Sequence, residues 1–219
     1  MITTPIHSPT VIPGAQDLYQ LLDAIVDDMP EKSILAVTSK IISLCEGRFV
    51  PIAGADKVQI IRDECEYYVV NNEGRFGKAF MFTIAGNTLI PNAGIDESNA
   101  GDVLVLWPED VQATANKIRA YLRKRFALKE VGVIITDSTV RPMRVGVSGI
   151  ALAYSGFRPL RSYIGQPDLF GRPFAVAQSD LVGGLASAAV MVMGEGVEST
   201  PLALLSDLSF VDFVSHDPS

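Results

Sequence analysis

The chain contains 219 residues, of which 48% are hydrophobic, and it carries a formal net charge of −7. A surface this acidic argues against non-specific nucleic-acid binding, because Lys and Arg must displace counterions from the phosphate backbone. No apolar run approaches the roughly 18 residues of a membrane helix, and the opening "MITTPIHSPT" lacks the features of a signal peptide. Composition therefore predicts a soluble, cytoplasmic protein with a single domain over residues 1–219.

The first half of the chain alternates helical and strand patterns. Residues 15–29 carry leucines at helical spacing up to Pro30, which predicts an amphipathic helix. The apolar residues 33–37 predict a strand, followed by a turn or short helix with polar side chains. Residues 58–69 predict a second helix, and two β-rich runs around "AGN" (85–87) predict a hairpin.

The second half continues the mixed pattern. Residues 102–108 predict a strand, after which a helix extends into the basic segment 119–129. This basic segment is interpreted as a solvated helix end in preference to a phosphate-binding site. The apolar run 131–137 predicts a strand that ends on Asp137, and residues 138–178 read as glycine turns joined by short apolar pieces.

The last part of the chain predicts a helix between two recognisable end signals. Asp180 is a candidate N-cap and Gly194 a candidate stop for a helix rich in small residues. "PLALL" (201–205) predicts a closing strand, and the last few residues of the chain are expected to fray. Together these elements predict an α+β fold, with mixed sheets and packed helices.

Histidine and cysteine chemistry is nearly excluded from the interior. His7 and His216 are the two histidines and both lie near a terminus, which removes the usual base of a catalytic triad and the usual zinc ligand. Cys45 and Cys65 form no CxxC motif, and we expect them to be reduced. Catalysis would therefore depend on carboxylates, hydroxyls, Lys, Arg and a hard metal ion.

Three apolar segments each deliver a carboxylate into a polar turn, at Asp96, at Asp137, and at Glu195 or Glu198. The preceding element holds such a carboxylate while its oxygens stay accessible, as a Mg²⁺ or Mn²⁺ site requires. The alternative is structural, because Asp and Asn often cap their own backbone in turns. Their recurrence favours the metal interpretation, with Ser138 as a further hydroxyl ligand.

Arginines follow the turn at Asp137 and offer a place for an anionic group. Arg141, Arg144 and Arg172 are either salt-bridge partners or a two-pronged grip on an anionic substrate. The chain contains no GxxxxGK[ST] motif and no GxGxxG after a strand. A nucleotide would therefore bind on another scaffold.

Four segments in register resemble one known family. "NAGIDESN", "VIITDS", "PDLFGRP" and "VMGEG", within a match from about Ser8 to Leu205, resemble the coenzyme F-420-0:gamma-glutamyl ligase family. The resemblance implies a ligase that joins L-glutamate to a carboxylate acceptor through an acyl phosphate. It also implies GTP (or ATP) as co-substrate, Mg²⁺ or Mn²⁺ as cofactor, and an intertwined homodimer with its site near the subunit interface.

The resemblance also implies roles for individual residues. Asp96, Asp137 and Ser138 would bind metal, with either Glu195 or Glu198 as a further ligand, and Asp137 and Arg144 are the expected catalytic residues. The expected nucleotide contacts lie in four short segments, at Ser8, Pro9, Thr10, Val11, Ser39, Lys40, Asn99, Gly194 and Gly196.

Two departures from the family pattern bear on the substrate. Leu44 stands where many members have a nucleotide-binding lysine, so that contact is lost or is made by Lys40. "TSKIISLCEGR" (38–48) and "YYVVNNEGRFG" (67–77) are closer to a bacterial subgroup of gamma-glutamate ligases assigned to folate metabolism. The acceptor is therefore expected to be the deazaflavin cofactor, a folate or another carboxylate.

Two other functions are compatible with the residues. "IITDST" (134–139) at a strand end also suits a metal-dependent phosphohydrolase that transfers a phosphoryl group to water. A non-catalytic nucleotide or metabolite-binding protein is the third possibility, with Leu44 as a sign of lost activity.

Overall fold

The structure is a computed structural model that describes residues 1–71, 80–141 and 143–218. The described residues form five α-helices and twelve strands. In chain order these are β1 (Ile2–Ile6), α1 (Leu18–Ile25), β2 (Ser33–Thr38), α2 (Ser39–Glu46), β3 (Phe49–Pro51), α3 (Lys57–Asp63), β4 (Tyr67–Asn71), β5 (Phe80–Ala85), β6 (Thr88–Pro91), a 3-10 turn (Asn92–Gly94), β7 (Val103–Val105), α4 (Val111–Arg125), β8 (Val131–Val140), β9 (Val147–Ser155), β10 (Leu160–Ser162), β11 (Gln178–Asp180), α5 (Leu181–Met193) and β12 (Leu202–Ser206).

The largest sheet has the strand order β1-β12-β2-β8-β9. Strands β2 and β8 run parallel, whereas the neighbouring pairs β1–β12, β12–β2 and β8–β9 are antiparallel. Three smaller sheets contain β4-β5-β6, β3-β7 and β10-β11. The predicted α+β class with mixed sheets is confirmed.

Both faces of the main sheet are covered by helices, which explains the continuous apolar runs in its central strands. Leu35 and Val37 point to the core formed with α1, α2 and α4, whereas Ile34 and Ala36 point to the core formed with α5. Successive side chains of a strand alternate between the two faces. A central strand buried on both faces therefore has no polar alternation to show in its sequence.

The three-stranded sheet forms a smaller core with α3 and the 3-10 turn. Met81, Ala85 and Ile90 face this core and are buried. Ala93 in the 3-10 turn also lies in this core and has a φ of 54°, in the left-handed region. The turn leads into Asp96, whose backbone pairs with Val105 of β7. The small core thus holds the start of the segment that carries Asp96.

Several predicted elements are confirmed, and their ends have clear chemical causes. Asp17 caps α1 by accepting from the backbone N–H groups of Tyr19 and Gln20. Asp180 caps α5 by accepting from the N–H of Gly183, and Gly194 ends that helix with a φ of 80°. The hairpin β5–β6 and the closing strand β12 are also present.

The predicted helix over residues 58–69 is wrong in its second half. Helix α3 ends at Asp63, and Tyr67–Asn71 forms strand β4 paired with β5. The spacing of Ile61, Cys65 and Tyr68 fits a helix. Strand pairing with β5 overrides that pattern, because β-branched and aromatic side chains favour a half-buried sheet surface.

Strand β8 does not end on Asp137 as predicted. It continues to Val140, because residues 137–140 pair with 147–150 of β9. The part of the chain interpreted as glycine turns therefore contains the nine-residue strand β9. A register shift between Ile135 and Thr136 interrupts the β8–β9 pairing just before Asp137, and such bulges turn side chains in a new direction.

Other sequence expectations have mixed outcomes. Cys45 and Cys65 are free, as expected. Among the residues that the structure describes, no helix is long and apolar enough to cross a membrane. Residues 72–77, part of the segment that resembles the folate-assigned subgroup, lie outside the described residues.

The last described residues, Asp217 and Pro218, are not frayed, and the basic segment is not wholly solvated. Arg119 of α4 is 1% exposed. Its guanidinium donates to the carbonyls of Val131 and Val214 and pairs with Asp217. Gly156, with a φ of 90°, leaves the space for this side chain, since a Cβ there would overlap Arg119. A buried arginine therefore ties the C-terminal segment to the main sheet.

We expect Arg119→Met to lower the free energy of unfolding by about 3 kcal/mol, because the buried carbonyls of Val131 and Val214 lose their hydrogen-bond donor. Urea denaturation followed by circular dichroism measures this loss. Lys124→Met, on the exposed side of the same helix, is the matched control and should change stability by less than about 0.5 kcal/mol. Equal losses in the two variants would contradict the role of Arg119.

Candidate functional site

A cavity of about 720 Å³ lies where the parallel strands β2 and β8 end. Thr38 and Thr136 are paired in register at this edge, and both line the cavity. Carboxyl ends of parallel strands are where open α/β sheets commonly bind ligands, because the chain leaves the sheet there in opposite directions. The cavity is therefore the principal candidate site.

Most of the predicted site residues meet in this cavity. Distant segments of the chain form its walls: the N-terminal segment 8–11, the start of α2, the turn 94–99, the second half of β8 and the loop 194–200. The predicted residues that line it are Ser8, Pro9, Thr10, Val11, Lys40, Asp96, Asn99, Asp137, Ser138, Gly194, Glu195, Gly196 and Glu198.

Asp96 is held by a cation and by its own turn. The ammonium of Lys40 lies 2.6 Å from Asp96 Oδ2, and the backbone N–H of Ser98 donates to Oδ1 over 2.7 Å. Burial alone would raise the pKa of Asp96, but Lys40 and Ser98 outweigh it and lower the pKa below its ordinary value. Asp96 is therefore ionised at neutral pH.

Asp137 experiences the opposite balance. Burial raises its pKa from the ordinary value of 3.8 to about 6, and the negative charge of Asp96 adds to this shift. The indole N–H of Trp107 donates to Oδ2 and the backbone N–H of Ser138 donates to Oδ1, and these bonds act against the shift. Ionisation of Asp137 therefore costs free energy unless a cation binds nearby.

The loop after α5 brings further oxygen atoms to the same wall. Ser138 Oγ donates to Glu195 Oε1 over 2.6 Å, so the Glu195 carboxylate contacts the residue that follows Asp137 in β8. Glu198 instead accepts from the backbone N–H of Gly196 over 2.8 Å and so stabilises its own loop. A Cβ at Gly194 would overlap the Glu198 carboxylate, so this tight loop requires glycine.

Short hydrogen bonds join the walls of the cavity to one another. The Asn99 amide donates to the Gly196 carbonyl over 2.8 Å, and the backbone N–H of Ser8 donates to the Ser199 carbonyl over 2.9 Å. Asn99 has a φ of 52°, in the left-handed region that asparagine tolerates. The two segments that carry the predicted nucleotide contacts Ser8 and Asn99 are therefore both held against the loop 194–200.

Two predicted site residues do not line the cavity. Ser39, at the first turn of α2, is 4% exposed and is not among the residues that line the cavity. Arg144 is exposed in the turn between β8 and β9, where its backbone N–H donates to the Arg141 carbonyl. Leu44, which replaces the lysine of the family pattern, lines the cavity and packs against Ala100 and Val105.

Sequence reasoning missed Trp107 and Lys57. Trp107 contacts Asp137 as described, and Lys57 forms an ion pair with Glu97, beside Asp96. The pairing of Lys57 with Glu97 joins elements 40 residues apart and has no sequence signal. Trp107 had one, since it is the only tryptophan of the chain and stands at a predicted strand end.

The donor atoms of the cavity fit a hard divalent cation. Asp96, Asp137, Ser138 and Glu195 offer oxygen atoms, which Mg²⁺ and Mn²⁺ prefer. In the part of the chain that the structure describes, no group of three or more His, Cys, Asp or Glu side chains is arranged to hold a metal. Mg²⁺ needs no such cage, because one or two carboxylates together with substrate phosphates and water complete its shell.

The opposite pKa shifts of the two aspartates give an opposite dependence of stability on pH. Between pH 3.8 and about 6 folded Asp137 keeps a proton that the unfolded chain loses, so its contribution to stability falls by about 3 kcal/mol as pH rises. Asp137→Asn removes this fall, and its stability relative to wild type should therefore increase from pH 4 to pH 7. Urea denaturation at both pH values, in EDTA, measures the difference.

Asp96→Asn is the matched comparison for this experiment. The lowered pKa of Asp96 contributes stability above its unfolded value, and this contribution is lost as pH falls through the folded pKa. The stability of Asp96→Asn relative to wild type should therefore decrease as pH rises toward 3.8, below the range in which Asp137 titrates. A change of the same sign in both variants would contradict this electrostatic account.

Comparisons with known proteins agree with the motifs. The sequence model of the family described as F420-0:Gamma-glutamyl ligase matches residues 5–207. The coenzyme F420:L-glutamate ligase of Methanopyrus kandleri is 36% identical over 218 residues, covering 90% of this chain and 83% of the relative. That of Haloarcula marismortui is 34% identical and covers 95% and 88%, and that of Methanocaldococcus jannaschii is 33% identical and covers 92% and 76%.

These matches extend over nearly the whole chain, including every segment that lines the cavity. They confirm the resemblance inferred from the motifs and the expectation of an enzyme. The chain belongs to the F420-0:gamma-glutamyl ligase family, a family of amide-forming ligases.

Proposed function

We propose that this protein is a nucleotide- and divalent-metal-dependent ligase that joins L-glutamate to a carboxylate acceptor through an acyl phosphate. GTP is the proposed phosphoryl donor, with ATP as the alternative. The proposed acceptor is the deazaflavin cofactor F420, after which the relatives are named, or a folate-like carboxylate. The nucleotide's terminal phosphoryl group passes to the acceptor carboxylate, and the amine of glutamate then displaces phosphate to form the amide.

One observation carries this proposal: the two aspartates that the motifs assign to metal line the same cavity as the segments assigned to the nucleotide. Asp96 and Asp137 interact electrostatically there, since the charge of Asp96 raises the pKa of Asp137. A site in which carboxylates lie beside a polar, glycine-containing loop suits a metal–nucleotide complex. The volume of about 720 Å³ lies within the usual range of ligand pockets.

The oxygen atoms of Asp96, Asp137 and Ser138 would hold the metal. We propose Glu195 over Glu198 as the further ligand, because Glu195 contacts Ser138 whereas Glu198 is engaged by its own loop. The metal, when bound, neutralises charge on the transferred phosphoryl group and polarises it.

Other residues would bind and orient the substrates. Lys40 is the one cation among the described residues that line the cavity, and it is placed to contact the nucleotide phosphates. Lys40 lies one helical turn before Leu44. This position supports the proposal that Lys40 makes the nucleotide contact that a lysine at position 44 would make. The backbone of the loop 194–200 and Asn99 would complete the nucleotide contacts, because glycine lets a loop approach phosphate closely. Catalysis then consists of positioning and charge neutralisation, which requires no histidine.

A homodimer is part of the proposal, and the three-stranded sheet supports it. The face of β4-β5-β6 opposite the small core is apolar and exposed. Tyr67 is 70% exposed, Val69 is 69% exposed and Leu89 is 54% exposed. Tyr67 pairs with Ile84 and Ile84 pairs with Leu89, so these side chains form one continuous row across the sheet. A second copy of the chain is the proposed cover for this row.

The ligase proposal predicts which substrates phosphate release requires. With GTP or ATP, Mn²⁺, L-glutamate and an acceptor, we expect release only when glutamate and acceptor are both present. Asp137→Asn should lower kcat at least about 100-fold, since it removes charge that acts in the transition state. The exposed Asp28→Asn is the isosteric control and should match wild type.

The same assay separates the rival functions. Release without glutamate and acceptor would indicate a phosphohydrolase. Nucleotide binding with no turnover on any acceptor would indicate a binding protein. Full activity of Asp137→Asn would contradict the assigned site while leaving the ligase activity in place.

The dimer proposal predicts a mass of about twice 23.6 kDa in sedimentation equilibrium. Tyr67→Lys together with Leu89→Lys places two charges on the proposed interface and should shift the protein to monomers. The same exchange at Leu169, which is 99% exposed outside this sheet, is the control. A monomeric wild-type protein would reject the proposal.

A further inference from the structure

We propose that Trp107 is a positioning residue for Asp137, and that its indole ring is a spectroscopic reporter of the metal site. The proposal rests on the function proposed above, because it takes Asp137 as a metal ligand. It adds a residue to which neither the motifs nor the family comparison assigns a role.

The two oxygen atoms of Asp137 are held by two different donors. The indole Nε1–H of Trp107 donates to Oδ2, and the backbone N–H of Ser138 donates to Oδ1 over 2.7 Å. The N–H of Ser138 is fixed by strand β8, but on its own it leaves the carboxylate free to pivot about that bond. The indole supplies the second point that sets the orientation of the carboxylate plane.

The position of the indole is itself determined by its neighbours. The ring lies against Gly94, where a Cβ would overlap the indole, and 3.8 Å from the site of a Cβ on Gly86. The backbone carbonyl of Trp107 accepts from Arg48 Nε over 2.9 Å, and Arg48 in turn pairs with Glu64 over 2.5 Å. Glycine at 94 and an anchored backbone at 107 therefore keep the ring where it reaches Asp137.

Trp107 also lies at the boundary between two cavities. It lines the smaller cavity of about 220 Å³ together with Arg48 and Glu64, whereas Asp137 lines the larger one. The ring thus contacts the Asp137 carboxylate on one side and lines the second cavity on the other. Through this contact the indole holds the carboxylate toward the larger cavity, where the nucleotide is proposed to bind.

Groups that hydrogen-bond a metal ligand usually fix its orientation, and their loss typically lowers metal affinity about 10- to 100-fold. Trp107→Phe removes the N–H but keeps an aromatic ring against Gly94. We therefore expect the Kd for Mn²⁺ alone, measured by isothermal titration calorimetry on the full chain, to rise about 10- to 100-fold. Ile61→Val, in the same small core as Trp107, is the control for packing and should stay within about twofold of wild type.

The single tryptophan allows two further measurements that do not depend on activity. Mn²⁺ should change the tryptophan emission of the wild-type protein saturably, with the midpoint found by calorimetry, and Asp137→Asn should lose this response. In the metal-free protein, the indole N–H gives one ¹⁵N–¹H signal. That signal should shift in Asp137→Asn and stay in place in the exposed Asp28→Asn.

The outcomes distinguish this inference from the proposed function. Mn²⁺ binding to wild type with unchanged affinity in Trp107→Phe would overturn the positioning role and leave the metal site intact. Absence of Mn²⁺ binding to wild type, both alone and in the presence of GTP, would overturn the metal-dependent function and the positioning role with it. An indole signal that does not respond to Asp137→Asn would show that the hydrogen bond is absent, even if Trp107→Phe failed to fold.

Discussion

The carboxylates of Asp96 and Asp137 line one cavity, and the cost of keeping both ionised there constrains the residues around them. Burial and mutual repulsion both oppose the ionisation of these two acids. The neighbouring residues compensate each acid differently. Asp96 receives the ammonium of Lys40 at 2.6 Å, which keeps its pKa low. Asp137 receives two neutral N–H donors, which do not offset its burial. The site therefore contains one acid that is already compensated and one that a further cation would stabilise.

This asymmetry depends on how the fold delivers each acid. Asp137 lies within β8 of the main sheet, beyond the end of its pairing with β2, so its backbone is fixed on one side by β9. Asp96 comes from the smaller core and is pinned by its bridge to Val105. Trp107 lies just beyond β7, and its indole reaches from the smaller core to Asp137. The main sheet and the smaller core therefore meet at the site, and its geometry depends on both.

Much of the fold could be predicted because its signals are local. Leucine spacing together with the Asp17 cap specifies α1, and the Asp180 and Gly194 pair specifies α5. The motif acids were predictable for the same reason, since a polar turn after an apolar run is visible in the sequence. The structure then adds what no local pattern contains, which is that these turns share one cavity.

The features that were missed or wrongly predicted are those set by distant partners. Residues 64–69 follow a helical spacing, yet pairing with β5 makes Tyr67–Asn71 a strand. Arg119 resembles its solvated neighbours in sequence and is buried because the C-terminal segment returns over it, almost 100 residues later. Neither partner is indicated by the local pattern.

The role of Trp107 also depends on a partner that is distant in the sequence. A motif identifies the residues that touch a ligand, because their types are dictated by the ligand's chemistry. The residues that orient them are dictated instead by the gap that the fold leaves, here a gap opened by Gly94 beneath an indole. Any hydrogen-bond donor of suitable reach would satisfy the Asp137 carboxylate, so the chemistry does not require one particular residue type at that position. Its position at a predicted strand end marks Trp107 in the sequence, but its role is found only when the partner of each carboxylate oxygen is traced.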